Sequence, residues 1–299
     1  MKKILLFLAV IFSLNVNGQQ TNVESLKTEI ECGIIPSPQD VSYLTTGYFV
    51  LDESCVLLDN EDEEISRIIN ILKNDIQEIT GLDLEISKKT SKKKKHIVFK
   101  LYESWLYDIQ EEFHTRVNTE FQLRQEYTIK ISHQSNVIEI EAPTPQGLFY
   151  GAQSLKQLIR HQLLTENNLN IPCYNIFDYP SLEYRGWMDD ISRGPIPTTE
   201  FIKEEIRRLS EYKFNFFNLY TEHLYKLDNY PDIAPTDGLT KEEIEELTEF
   251  AKDYYIEFIG NQQCFAHAEK TLDNPFYDDI KDTRFNFNPG VDETYEFLE

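Results

Sequence analysis

Apolar residues recur at three- and four-residue intervals between Glu63 and Thr80. Ile65, Ile68, Ile69, Leu72, Ile76 and Ile79 share one side of a 3.6-residue-per-turn helix, and Gly81 follows as a stop. Around this helix the pattern turns to strands. Tyr48 to Leu58 reads as a strand region broken by Asp52-Glu53-Ser54, Leu82 to Ser87 alternates, and Ile97, Phe99 and Leu101 alternate within His96 to Tyr102. Glu126–Ile131 and Val137–Glu141 predict a hairpin across Gln134-Ser135-Asn136, and Leu148 to Arg160 a second helix with Leu155, Leu158 and Ile159 on one face. Strands and helices in this order predict a small α+β domain over residues 32–165.

Residues 166–183 read as a junction, with Asp178-Tyr179-Pro180 breaking local structure. The rhythm then changes to strand–helix alternation. Strands are expected at Tyr184–Ile191, Phe214–Tyr220 and Tyr255–Gln262, and helices at Thr199–Tyr212, Thr240–Tyr254 and from Glu293 onward. Thr240 and Glu243 have the spacing of a capping box. The strands are nearly continuous in apolar character, the pattern of a parallel sheet buried on both faces. A closed (β/α)8 barrel needs about 250 residues, whereas residues 181–299 number 119. The expected fold is therefore an α+β N-terminal domain followed, over residues 184–299, by about three βα units, the first part of a TIM (β/α)8 barrel.

The start of the chain has an export pattern. Lys2 and Lys3 precede an apolar run from Ile4 to Leu14, and Gly18 stands at its exit, so residues 1–18 are expected to be a signal peptide and 19–31 a polar linker. The run is shorter than the roughly 20 residues a membrane-spanning helix needs. The expected destination is the periplasm or the exterior, with no stable membrane span after cleavage.

Composition narrows the partners. Lys and Arg total 29 against 52 Asp and Glu, a formal net charge of −23. Such a chain repels phosphate backbones, which argues against nucleic acid. The basic run Lys88-Lys89-Thr90-Ser91-Lys92-Lys93-Lys94-Lys95 lacks interleaved aromatics and reads as a solvated loop between strands. Cys32, Cys55, Cys173 and Cys264 show no C-x-x-C spacing, so neither a metal nor a redox motif is indicated and no cofactor is implied. An exported protein permits disulfides; unpaired buried thiols are the simpler reading, and spacing does not choose among pairings.

Candidate chemistry gathers after the three predicted barrel strands, in Tyr184–Gly194, Asn218–His223 and Asn261–His267. Barrel enzymes place their sites at that face. These segments combine Arg, Asp, Glu, His, Asn and Gln with Trp and Tyr, which suits a sugar: hydrogen bonds for its hydroxyls and ring faces for its C–H surface.

On these residues the chain resembles family 20 of the glycoside hydrolases, the β-N-acetylhexosaminidases. Arg185-Gly186-x-Met188-x-Asp190-x-Ser192-Arg193 resembles the family's opening barrel strand. Tyr220-Thr221-Glu222-His223 and Asn261-Gln262-x-x-Phe265-x-His267 resemble a branch of it, and Ala142–Gly151 resembles part of the small domain accompanying the barrel. The resemblance implies removal of terminal β-linked N-acetylhexosamine from glycans by substrate-assisted retaining hydrolysis, in which the substrate's acetamido group attacks the anomeric carbon. It implies that Arg185 binds the terminal sugar's hydroxyls, that Glu222, His267 and Asn261 belong to the sugar pocket, and that Asp190 supports them from behind. The family's catalytic Asp-Glu pair follows the fourth barrel strand. Asp292-Glu293 is preceded by the turn-like Asn288-Pro289-Gly290 and continues directly into a helix, so the pair is expected beyond Glu299. Two other readings stay open: a non-catalytic carbohydrate-binding fragment, and another barrel glycosidase such as an α-glucuronidase or O-GlcNAcase relative.

Overall fold

A computed structural model describes residues 32–102, 119–261 and 263–299. The expected signal peptide and linker lie outside the described residues. In chain order the first domain contains β1 (Asp40–Val50), β2 (Cys55–Leu58), α1 (Glu63–Thr80), β3 (Glu85–Ser87), β4 (Lys95–Leu101), α2 (Glu120–Gln125), β5 (Tyr127–Ser132), β6 (Val137–Ala142), α3 (Pro145–Glu166) and β7 (Asn170–Asp178). The strands form one mixed sheet ordered β1-β7-β5-β6-β4-β2-β3.

The local chemistry explains the helices. Asp62 caps α1 by accepting from the Glu64 and Ile65 amides at 3.0 Å, and Gly81 ends it at φ 78°, donating to the Gln77 carbonyl at 2.8 Å. Thr144 caps α3, and Pro145 occupies its first turn, where no amide donor is needed. Gly147 and Gly151 let α3 close onto the sheet. A Cβ on Gly147 would meet the Glu126 carbonyl oxygen at 2.3 Å, and one on Gly151 would meet Ile140 at 2.5 Å.

Several expectations need correction here. The segment read as a junction holds β7, whose residues 171–174 and 176–178 are buried between β1 and β5. The first domain therefore runs to Asp178, and the junction shrinks to the residues before Gly186. The strand region read at 48–58 is broken at Asp52-Glu53-Ser54 as expected, but its first strand, β1, begins earlier, at Asp40. All four cysteines are unpaired; Cys32, Cys55 and Cys173 are buried, but Cys264 is exposed. In the basic run, Lys88 pairs with Glu61, Lys94 with Glu85, and Lys95, the first residue of β4, with Asp52 at 2.6 Å.

The second part contains β8 (Gly186–Asp190), α4 (Thr199–Glu211), β9 (Phe216–Tyr220), α5 (Lys241–Asp253) and β10 (Glu257–Asn261). The strands are parallel, ordered β10-β9-β8. Phe217 and Leu219 of β9 pack with Ile202 and Ile206 of α4 and Leu247 and Ala251 of α5. The capping box of α5 forms in full: Thr240 N donates to Glu243 Oε2 at 2.8 Å and Glu243 N to Thr240 Oγ1 at 3.2 Å. The sheet is not buried on both faces, however. The helices cover Phe217 and Leu219 at the centre of one face, while on the edge strand β8 Trp187, on that same face, is 50% exposed and Met188, on the opposite face, 60%. After β10 come α6 (Glu269–Leu272), a 3-10 turn (Pro275–Ile280) and α7 (Asp292–Leu298), packed around Leu272, Tyr277, Ile280 and Phe287.

Helix α3 joins the two parts. Lys156 pairs with Asp75 of α1 at 2.9 Å and with Glu211 of α4 at 3.2 Å, and Arg160 also pairs with Glu211. Gln157 Nε2 donates to the carbonyls of Glu211 (2.7 Å) and Ile35 (2.9 Å). Phe149 packs on Tyr254 and Tyr255, and the Tyr255 hydroxyl returns to Glu64 of α1 at 2.7 Å. Among the described residues no helix is long and apolar enough to cross a membrane.

Candidate functional site

The register of the three-stranded sheet aligns Asp190, Tyr220 and Asn261 at its C-terminal edge. Paired residues of neighbouring parallel strands point to the same side, so these three share a face with Met188, Asn218 and Ile259. The loops leaving this edge carry the polar groups.

After β8, Asp190 Oδ1 accepts from Ser192 N at 2.9 Å and Ser192 Oγ at 2.6 Å, an Asx turn that launches Arg193. Arg193 Nη1 donates to Ser192 Oγ at 2.9 Å, and Nη2 lies 2.7 Å from Glu222 Oε1. After β9, Glu222 adopts φ 47°, a left-handed conformation costing a non-glycine residue about 1–3 kcal/mol. The Glu222 side chain is 3% exposed. The Tyr220 hydroxyl also donates to its Oε1, at 3.2 Å. Burial pushes the Glu222 carboxyl up; the bond and charge of Arg193, helped by Tyr220 and His223, outweigh it and hold the group below its ordinary value of 4.5. Burial holds the neighbouring His223 below 6.5, against the opposing pull of Glu222, so its imidazole is neutral at neutral pH. His223 Nδ1 is buried without a hydrogen bond, 4.0 Å from Glu222 Oε2.

After β10, the Asn261 carbonyl accepts from Thr221 Oγ1 at 3.2 Å, tying the second and third loops together, and Asn261 Oδ1 is buried without a hydrogen bond. His267 follows at φ 57°, a second left-handed non-glycine residue. Glu222, His223, Gln263, His267, Lys270 and Thr271 line one small cleft. Among the described residues no group of three His, Cys, Asp or Glu side chains is arranged to hold a metal ion.

The structure thus brings Glu222 and His267 to one cleft, sets Asn261 beside it, and places Asp190 behind Arg193. Arg185 is elsewhere. It precedes β8, at the opposite end of the strand, and turns toward the first domain. Nε donates to Lys213 O (2.7 Å), Nη1 to Leu182 O (2.7 Å) and Glu183 O (3.3 Å), and Nη2 to Gln125 Oε1 (2.7 Å) and Tyr150 OH (3.2 Å). All five guanidinium N–H groups are engaged. In this placement Arg185 is a strut between the two parts. Asp292 and Glu293 are exposed in the first turn of α7 and stand at no strand end.

Sequence reasoning did not single out Arg193, Tyr220 or His223 as site residues, although each lies in a segment that carried the resemblance. The left-handed turn at Glu222 has no sequence signal, since neither Gly nor Asn marks it.

Comparison with known proteins follows the same division. Residues 31–179 match the model of glycosyl hydrolase family 20, domain 2. Among curated proteins, the chain is 26% identical to beta-hexosaminidase subunit A1 of Dictyostelium discoideum, over 89% of this chain and 46% of that protein. It is 24% identical to a beta-hexosaminidase of Porphyromonas gingivalis, over 80% of this chain and 31% of that protein. The chain therefore spans less than half the length of these two relatives. Among solved structures, the GH20 β-N-acetylhexosaminidase of Streptomyces coelicolor A3(2) superposes with a TM-score of 0.72 at 19% identity, over 89% of this chain and 56% of that one. The β-N-acetylhexosaminidase of Bacteroides fragilis gives 0.65 at 22%, over 89% and 53%. At these identities the likeness is one of fold.

Proposed function

The chain belongs to glycosyl hydrolase family 20, and from that premise we propose that it is part of a glycosidase removing terminal β-linked N-acetylhexosamine from glycans. The proposed reaction is substrate-assisted retaining hydrolysis. The observation that carries the reading is the convergence of Glu222, His223 and His267 in one cleft at the C-terminal edge of a parallel sheet, the face where (β/α)8 enzymes work. Residues 184–299 are read as the first βα units of such a barrel, and residues 1–18 as a signal for export to the periplasm or beyond.

In this reading the chain supplies sugar recognition and not proton transfer. Glu222 accepts from a sugar hydroxyl, and Asn261 and His267 complete the polar wall. Glu222 is held ionised by Arg193, the wrong state for protonating a leaving oxygen, which takes a protonated group within reach of that atom. Asp292-Glu293, the one Asp-Glu pair after residue 184, is exposed in the first turn of a helix and follows a turn, not a strand. The acid/base pair is accordingly assigned outside these 299 residues. This same observation favours a second reading, in which the 299-residue chain by itself binds a sugar without cleaving it.

The test is release of a chromogenic aryl β-N-acetylglucosaminide by the 299-residue chain and by any longer product of the same reading frame. The short chain is expected to be inactive and the longer product active. In the longer product Glu222→Gln should lower kcat/KM roughly 10- to 100-fold, because a hydrogen bond to a charged group contributes about 1.5–3 kcal/mol. Activity of the short chain that disappears with Glu293→Gln would overturn the assignment.

A further inference from the structure

We propose that Arg193 is a positioning residue of this cleft: it fixes the Glu222 carboxylate at the strand ends as an ionised acceptor for a sugar hydroxyl. The inference rests on reading the cleft as a sugar site, and its first test below does not depend on that reading.

The geometry runs as a relay across two loops. Asp190 Oδ1 orients Ser192, Ser192 Oγ takes one arm of Arg193, and the other arm crosses from the β8 loop to the β9 loop to reach Glu222 Oε1 at 2.7 Å. The two ends of this pair differ in surroundings. The Glu222 side chain is 3% exposed, the Arg193 side chain 54%. An ionised carboxylate so well covered is costly unless it is paired, and Arg193 is its ion-pair partner from outside its own loop.

The form of the contact separates positioning from simple bracing. A guanidinium commonly grips both oxygens of a carboxylate. Here Arg193 and Tyr220 both address Oε1, while Oε2 lies on the side of His223, itself a lining residue of the cleft. One oxygen is the anchor and the other is presented. The backbone at Glu222 is itself left-handed, so a constrained turn and a cross-loop ion pair meet at this one residue. The charged and titratable groups around the carboxyl are Arg193 from the β8 loop and Tyr220 and His223 from its own segment. Asp190 acts on Arg193, and Glu269 and Lys270 of α6 act on His223.

The experiment is a carbon-13 NMR titration of the Glu222 carboxyl in the full 299-residue chain, assigned with Glu222→Gln, for wild type, Arg193→Lys and Arg193→Gln. Loss of a neighbouring opposite charge should raise the midpoint by about one pH unit or more in Arg193→Gln, with Arg193→Lys in between. Raising the salt concentration should narrow the difference, because the guanidinium faces solvent. A Glu222 midpoint in Arg193→Gln equal to wild type would overturn the proposal. If Arg193→Gln does not fold, Arg193→Lys carries the comparison: it keeps the charge but not the fork, and a midpoint and salt response equal to wild type would overturn the proposal equally.

In a longer product that turns over the aryl glucosaminide, the acid limb of kcat/KM should move upward by the same amount as the carboxyl. A shifted carboxyl with an unmoved acid limb would refute the positioning role. Absence of turnover with a shifted carboxyl would instead refute the glycosidase reading and leave the anchoring of Glu222 by Arg193 standing.

Discussion

The two sheets of this chain are built from similar strands and end in different states. In the seven-stranded sheet, β7 lies between β1 and β5 and is buried at every position but Asn170 and Asn175, Pro172 and Asp178 included. In the three-stranded sheet, β8 carries Trp187 and Met188, two of the more apolar residues of its segment, and both are half-exposed or more. Burial is therefore decided by what lies alongside a strand, and only secondarily by the strand's own composition. β7 has a strand on each side; β8 pairs with β9 on one side alone.

The comparison breaks if equivalent truncations in the two regions have equal effects. Phe149→Ala in α3 should cost about 3–5 kcal/mol, since the ring is fully buried against both parts of the molecule. A urea midpoint within error of wild type would show that α3 is not the shared core element. Next comes Lys156→Met, which strands Asp75 and Glu211 without their common partner. Removing one member of a buried ion pair costs about 3 kcal/mol, and thermal melting should show one transition at a lower temperature.

A smaller effect sharpens the picture on the open side. Thr240→Ala removes half of the α5 capping box and should cost about 1 kcal/mol, read from the urea midpoint. The acid limb of stability is a further check. The folded Glu222 carboxyl titrates below its ordinary 4.5, so its contribution is complete above 4.5 and is lost as pH falls through the depressed value. Wild type should therefore lose stability relative to Glu222→Gln on acidification below about 4.5 and not between neutrality and that point. The smallest change is expected for Met188→Ala. An exposed site of this kind alters stability by no more than about 0.5 kcal/mol, while binding of a hydrophobic dye to the uncovered face should fall.

The sequence made some of this architecture legible and concealed the rest for identifiable reasons. Helix α1 was readable to the residue because period, N-cap and C-terminal glycine agree. The α5 capping box was equally plain. β7 was not, because a strand enclosed on both faces need not alternate and Asp178-Tyr179-Pro180 drew attention to a break at its end. β1 was hidden for the opposite reason: it is an edge strand, mostly exposed, with a register shift between Tyr43 and Tyr48. At the site, residue types at strand ends pointed to Glu222, His267 and Asn261, since register alone brings those ends together. Arg185 drew the same inference from its motif, but its direction is set by acceptors contributed from Leu182, Lys213, Gln125 and Tyr150, three of them distant in sequence. Arg193 stood in the same motif, but nothing in the sequence assigned it a role, because its partner Glu222 lies in a left-handed turn on another loop.

Helix α3 leaves one further consequence. With 14 of its 22 residues buried, residues 147–159 without a break, and contacts to the sheet, to α1 and to α4, it has almost no outward side before its last turn. A segment so enclosed tolerates neither insertion nor a bulky label. Engineering of this chain, whether a fluorophore, an affinity tag or a split point, belongs instead in the 88–94 loop, where Lys88, Lys89, Lys92 and Lys93 are exposed, and should leave residues 147–159 untouched.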